Sequence, residues 1–241
     1  MVRLGSVTTD SEMSTAPWVR PCSGAHAAGC IIPYAPDRGA TEGEMTTGEA
    51  HGDTDDRDQP SMSVSVVVPT KDRPDELRRM LATVATQTVP PLEVIVVDAS
   101  DEPIQHVLDE IEDVETRYVR HLPPSSAQQR NHGLECVSKQ ADFVMFVDDD
   151  VLLRPDAFEQ MFRYWATAPE NIAGAALNAM DHAPRATSGL RRSPLVNGLG
   201  LYSAVPGGVA PSGWQSAVST VDQVTPVAWL STCAAWWRHD A

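Results

Sequence analysis

The chain has no apolar run of the roughly eighteen residues that a bilayer span requires, and its N-terminus has no apolar signal core. Neither a membrane-spanning helix nor export by that route is expected, although peripheral association with a membrane stays open. Basic residues are scarce: 18 Lys and Arg stand against 33 Asp and Glu, giving a net charge of −15 over 241 residues. With an isoelectric point near 4.7, an electrostatic grip on nucleic acid or anionic lipid is not expected. Only four cysteines occur, Cys22, Cys30, Cys136 and Cys233, and none has metal-type spacing. They read as reduced thiols of a cytoplasmic protein. No GxGxxG follows the first expected strand, and no GxxxxGK[ST] occurs anywhere, which weighs against dinucleotide binding and P-loop chemistry. There is no internal repeat.

Residues 1–62 are rich in Gly, Ser, Thr, Pro and acids and lack sustained periodicity. Such a segment buries too little surface to offset its ordering entropy, so a disordered leader is expected there, followed by one domain over 63–241. His26 and His51 fall inside the leader without partners at ligand spacing. From Val64 onward strands and helices alternate. Val64–Val68 and Leu92–Val97 are apolar and β-branched, as strands buried on both faces are. Between them Pro74 suits a first helical turn, with Leu77, Met80, Leu81 and Val84 at helical spacing. A second amphipathic helix is expected around 104–111, a third strand at Arg117–Val119, and a helix capped by Ser125 or Ser126 that runs to about Val137. Ile172–Leu177 completes the strand set. This alternation predicts an α/β fold, with a mostly parallel sheet and helices on both faces.

The organising stretch is FVMFVDDDVLLRPDAF, Phe143 to Phe158. A buried strand ends at once in Asp148, Asp149 and Asp150, followed by a proline-started helix. In open α/β sheets that edge binds ligands. Adjacent carboxylates repel, and desolvating them unpaired is costly. A hard divalent cation, Mg²⁺ or Mn²⁺, relieves both problems and bridges carboxylates to phosphates. An acidic triplet in a solvated loop is the plainer alternative, but the apolar flanks argue against it. Other polar residues collect at the same edge: Thr70 and Asp72 after the first strand, Asp98 after the second. Arg130, in the first turn of its helix, suits a diphosphate, or else is an exposed surface arginine.

With these blocks in view, VSVVVPTKDRPDELRRMLATVATQTVPPLEVIVVDASD resembles the opening of the family 2 glycosyltransferases, which have the GT-A fold. QQRNHGLE is similar to that family's Arg-Asn-Gly helix start, and FVMFVDDDVLLRPDAFEQM to its acidic metal motif. WLSTCAAWWR looks like a degenerate acceptor-side segment. The resemblance implies a Rossmann-like GT-A domain that transfers a sugar, with inversion, from a nucleotide diphosphate-sugar donor to a carbohydrate or lipid-linked acceptor. It implies that Pro69 and Thr70 line the nucleoside pocket, with Asp72 beside them. Asp98 would hydrogen-bond the base or ribose, and Arg130 would sit near the base or diphosphate. Asp148 would meet the ribose or donor with Asp149 close by, and Asp150, with Asp148, would hold the Mg²⁺ or Mn²⁺. Polysaccharide biosynthesis is the expected setting.

The catalytic residue is not identified. The family's general base lies beyond the acceptor segment, and the chain ends at Ala241, so truncation at the C-terminus is expected. Asp181, Asp222, His239 and Asp240 are weak substitutes. An inactive nucleotide-sugar-binding module is therefore the competing expectation. A nucleotidylyltransferase is a third class, but the glycine-rich basic loop it would need for a triphosphate is absent after Val68, which weighs against it. With elements missing, Trp229, Trp236 and Trp237 are expected to form an exposed apolar patch. Tyr202 and Trp214 either stack on a sugar or anchor the irregular 178–223 region.

Overall fold

A computed structural model describes residues 29–32, 62–178, 199–201, 205–216, 218, 221–231 and 233–239. The core sheet begins with β2 (Val64–Thr70), β3 (Glu93–Asp98), β4 (Thr116–Arg120) and β5 (Phe143–Phe146). These four pair in parallel in the order β4-β3-β2-β5. Every residue of β2 and β3 is buried, as expected of strands covered on both faces.

The alternation of side chains divides the core in two. Val64, Val66 and Val68 face the larger cluster. Helix α1 (Pro74–Ala85) adds Leu77, Met80, Leu81 and Val84 to it, and α3 (Ala157–Trp165) adds Phe158, Met161 and Trp165. Val67, Ile95, Val97 and Val144 face the other side. There α2 (Ser126–Glu135) lies so close that a Cβ on Gly133 would meet Val67 at 2.3 Å. Only a glycine permits that approach. The helix expected around 104–111 is a short 3₁₀ turn, Gln105–Glu110, that buries Val107 and Leu108. Six residues fix too few i→i+4 bonds to sustain an α-helix.

Four strands complete the eight-stranded sheet: β1 (Gly29–Ile32), β6 (Gly174–Leu177), β7 (Thr225–Val227) and β8 (Ala235–Arg238). The full order is β4-β3-β2-β5-β8-β6-β1-β7. β8 runs antiparallel between β5 and β6, and β7 antiparallel at the edge. The sheet is therefore mixed: four parallel strands, β4-β3-β2-β5, make up one half, and the acidic triplet follows the last of them.

Two expectations are corrected. Gly29–Ile32 fall within the anticipated disordered leader yet form a strand parallel to β6, with Cys30 buried. Four residues of GCII carry no periodic signal, and their extended state comes from the pairing partner. The rest of the leader, with His26, His51 and Cys22, lies outside the described residues, as do Asp181, Tyr202 and Asp240. The terminal aromatics are not a surface patch either. Trp236 is fully buried in the middle of the sheet, with Phe143, Phe158 and Phe162 around it. Trp229 and Trp237 are half-buried. Among the described residues, no helix is long and apolar enough to cross a membrane.

Candidate nucleotide and metal site

The carboxyl ends of β2 and β5 and the start of α2 open on a cleft of about 490 Å³, within the usual size of a small-molecule site. Pro69, Thr70, Lys71, Arg73, Gln129, Arg130 and the three aspartates Asp148–Asp150 line it. Of the residues expected from the sequence, Pro69, Thr70, Arg130, Asp148, Asp149 and Asp150 are brought together here.

The three aspartates differ in their surroundings. Asp149 is buried and accepts a 2.8 Å hydrogen bond from the Thr70 hydroxyl, which joins the tips of β2 and β5. Burial pushes its carboxyl above the usual carboxylate range, and the Thr70 and Arg73 contacts only partly offset this. Asp148 and Asp150 are 38% and 57% exposed and face the cleft. Arg130 reaches Asp148 at 2.5 Å, and Arg73 bridges Asp149 at 3.2 Å and Asp150 at 3.3 Å. The triplet thus has guanidinium counter-ions. Among the described residues, no three acidic, histidine or cysteine side chains converge into a cage for an ion. Two open carboxylates in a cleft suit Mg²⁺ or Mn²⁺, which keep several waters and take few protein ligands. The donor set is all oxygen, as these ions require.

Arg130 is mostly buried, and its Nε is a buried donor without a partner. Unmet donors of this kind are rare in folded proteins, and this one belongs to a cleft-lining guanidinium. Ser125 caps α2 by accepting from the Gln128 N–H at 3.4 Å, and Ser126, the first residue of the helix, lines the cleft, so the positive end of α2 lies at it. Gln129, buried on the first turn, donates to the carbonyls of Thr70 and Val97 at 2.9 and 2.7 Å. It clamps two strand tips, a role no local sequence pattern reveals.

Asp72 and Asp98 stand apart from the cleft wall. Asp98 is fully buried at the end of β3. Its oxygens accept from the Ser100 N–H at 2.7 Å, from Arg120 at 2.7 Å and from the Tyr118 hydroxyl. Burial raises its carboxyl pKa, but these donors together outweigh burial and hold it below the ordinary range. With no exposed surface, Asp98 meets a base or ribose directly only if the groups covering it move. Asp72 has φ +55°, in the left-handed region that aspartate tolerates better than most residues. Its N–H donates to Ser100 Oγ at 2.7 Å, and its carboxylate accepts from the Asp101 N–H at 2.9 Å. It fastens the loop after β2 to the loop after β3.

β8 runs from the cleft edge toward the opposite edge, since Ala235 pairs with Phe146 and Arg238 with Phe143. His239 is therefore at the wrong end of the sheet for a general base, with its ring against the Ala141 carbonyl at 3.0 Å. Asp222 is exposed in the segment before β7. Cys233, which the sequence does not single out, lies at the cleft edge before β8. Burial, with Asp148 and Asp150 nearby, pushes its thiol up to about 11. Its alkylation by iodoacetamide at pH 8 should run roughly 200-fold slower than that of a free thiol, by the ratio of thiolate fractions. Peptide mass spectrometry of timed samples measures this, and labelling at the free-thiol rate would contradict the placement.

The arrangement is that of an open α/β sheet with an acidic cleft at its strand tips, the edge where such sheets bind ligands. Residues 65–196 match the sequence model of a family described as Glycosyl transferase family 2. That is over half of the 241 residues, and the chain belongs to this family of glycosyltransferases. It is 33% identical over 120 residues to the succinoglycan biosynthesis protein ExoW of Rhizobium meliloti (strain 1021), covering 43% of this chain and 37% of that protein. The chain thus spans little more than a third of the length of this curated relative. Similar solved structures include TarS of S. aureus, at 22% identity and TM-score 0.40, covering 44% of this chain and 20% of that one. Another is the mannosyltransferase PcManGT from Pyrobaculum calidifontis, in complex with GDP-Man and Mn²⁺. It has 21% identity and a TM-score of 0.42, with coverage of 47% and 34%.

Proposed function

We propose that the domain transfers a sugar, with inversion and with the help of Mg²⁺ or Mn²⁺, from a nucleoside diphosphate-sugar to a hydroxyl of a carbohydrate or lipid-linked acceptor. The observation that carries the proposal is the convergence of Asp148, Asp150 and Arg130 on one cleft at the strand tips. Family membership supports the reaction class.

In this assignment Pro69 and Thr70 form the floor under the nucleoside. Asp98 and Asp72 act from behind, holding Ser100, Arg120 and the two loops in place. Asp150, with Asp148, holds the cation, and Asp149 fixes the triplet to β2 through Thr70. Arg130 sits against the diphosphate. An ion held by Asp150 and Asp148 would neutralise the charge that develops on the departing diphosphate. Arg130 and the N-terminus of α2 add pre-oriented positive charge on the same side. The sugar becomes oxocarbenium-like as its bond to phosphate lengthens. The acceptor hydroxyl must lose a proton to a base, and no described residue is assigned to that step.

Turnover tests the proposal. Incubation with a panel of nucleoside diphosphate-sugars and Mn²⁺ should release free nucleoside diphosphate, and EDTA should suppress the release. Nucleotide binding without release from any donor would favour the non-catalytic module instead.

A further inference from the structure

The assigned metal carboxylates are bonded to arginine. Arg73, the residue just before α1, places one Nη1 at 3.2 Å from Asp149 and 3.3 Å from Asp150. Its side chain is 53% exposed, so it lies on the cleft wall with room to move. The nearby carboxylates, Asp149 above all, raise its already high pKa, so it is always a cation. The Asp150 oxygen it holds, Oδ2, is one of the two through which a divalent ion could bind this carboxylate, and an ion on either oxygen would lie close to the guanidinium. Two cations cannot share that oxygen at bonding distance without strong repulsion.

Resting on the proposed donor site, we infer that Arg73 is an exchangeable counter-ion that couples metal binding to diphosphate binding. It competes with the divalent ion for Asp150 when no nucleotide is bound. When a diphosphate enters the cleft, the guanidinium gains a better partner, since arginine pairs well with phosphate oxygens. It then leaves Asp150 to the ion. Metal and nucleotide therefore each strengthen the other's binding, by the reciprocity of linked equilibria. The buried pairing of Asp149 with Thr70 keeps the triplet in place while Arg73 exchanges. Arg130 remains on Asp148 from the opposite wall and does not contact Asp150. Arg73 is thus a positioning residue, and binding of the ion alone reports its role.

The experiment measures Mn²⁺ affinity by titration calorimetry, for the full chain and for Arg73→Gln, without nucleotide and then with saturating nucleoside diphosphate. The nucleotide should tighten Mn²⁺ binding to the native protein at least tenfold. Arg73→Gln should bind Mn²⁺ alone about three- to tenfold more tightly than the native protein, and its gain on adding nucleotide should shrink. Arg73→Lys, which keeps the charge, should behave more like the native protein. Equal or weaker binding of Mn²⁺ alone by folded Arg73→Gln overturns the inference while the donor site stands. No Mn²⁺ binding by the folded native protein, with or without nucleotide, overturns the metal site and the coupling together.

Discussion

Replacing Asp150 by alanine should lower nucleoside diphosphate release about 100- to 1,000-fold while leaving the fold intact. Loss of an electrostatic stabiliser of the departing group has effects of this order. Asp150 is 57% exposed, and its only described partner is the exposed Arg73, so its removal costs the fold little. Far-ultraviolet circular dichroism and the unfolding temperature should match those of the native protein. Asp149→Ala gives the contrast. Asp149 is buried and tied to Thr70, so that variant should lose thermal stability as well as turnover. Full turnover by Asp150→Ala would remove this residue from the metal site.

The largest expected loss of stability is at the other end of the sequence. Trp236→Ala should destabilise the domain by about 4 kcal/mol, the usual cost of emptying a large buried aromatic site. For a domain of this size that corresponds to a fall in Tm of roughly 8–16 °C. Trp236 has no exposed surface and sits between Phe143 on β5 and Phe158 and Phe162 on α3. It packs on the strand whose next residue is the first of the acidic triplet's approach, so nucleotide binding should weaken with stability. Its indole N–H is buried without a partner. Trp236→Phe removes that unmet donor, which offsets part of the lost contact area. Its Tm should therefore fall much less than that of the alanine variant. An unchanged Tm in Trp236→Ala would mean that β8 is not part of the core. Thermal unfolding followed by tryptophan fluorescence and circular dichroism measures both variants.

The sequence carried the parallel half of the fold for a physical reason. β2, β3 and β5 are buried on both faces, and such strands must be continuous apolar runs. Their ends are marked by the first polar residues, Thr70, Asp98 and Asp148, and so the acidic edge was legible as well. Helix α1 announced itself through Pro74 and the Leu77–Met80–Leu81–Val84 stripe. The other half was hidden. β8 is an ordinary AWWR segment whose central, antiparallel position depends on pairing with β5, about ninety residues earlier in the chain. β1 is four residues whose extended state comes from pairing with β6 on one side and β7 on the other. Within the site, local spacing located the carboxylates but not their partners. Arg73 and Gln129 act across more than fifty residues of sequence, and no periodic pattern records such a contact. Asp98 was placed at the correct edge, but its burial under Tyr118 and Arg120 follows from the register of β3 with β4.

The central claim is that the carboxylates at the end of β5 hold a divalent ion that a nucleoside diphosphate shares. Calorimetric titration of the folded chain with UDP and GDP, each with Mn²⁺ and then with EDTA, tests it most directly. Binding of at least one nucleotide that weakens tenfold or more when the ion is removed is the predicted result. Nucleotide affinity that is the same in EDTA, or no binding of either nucleotide, would contradict it.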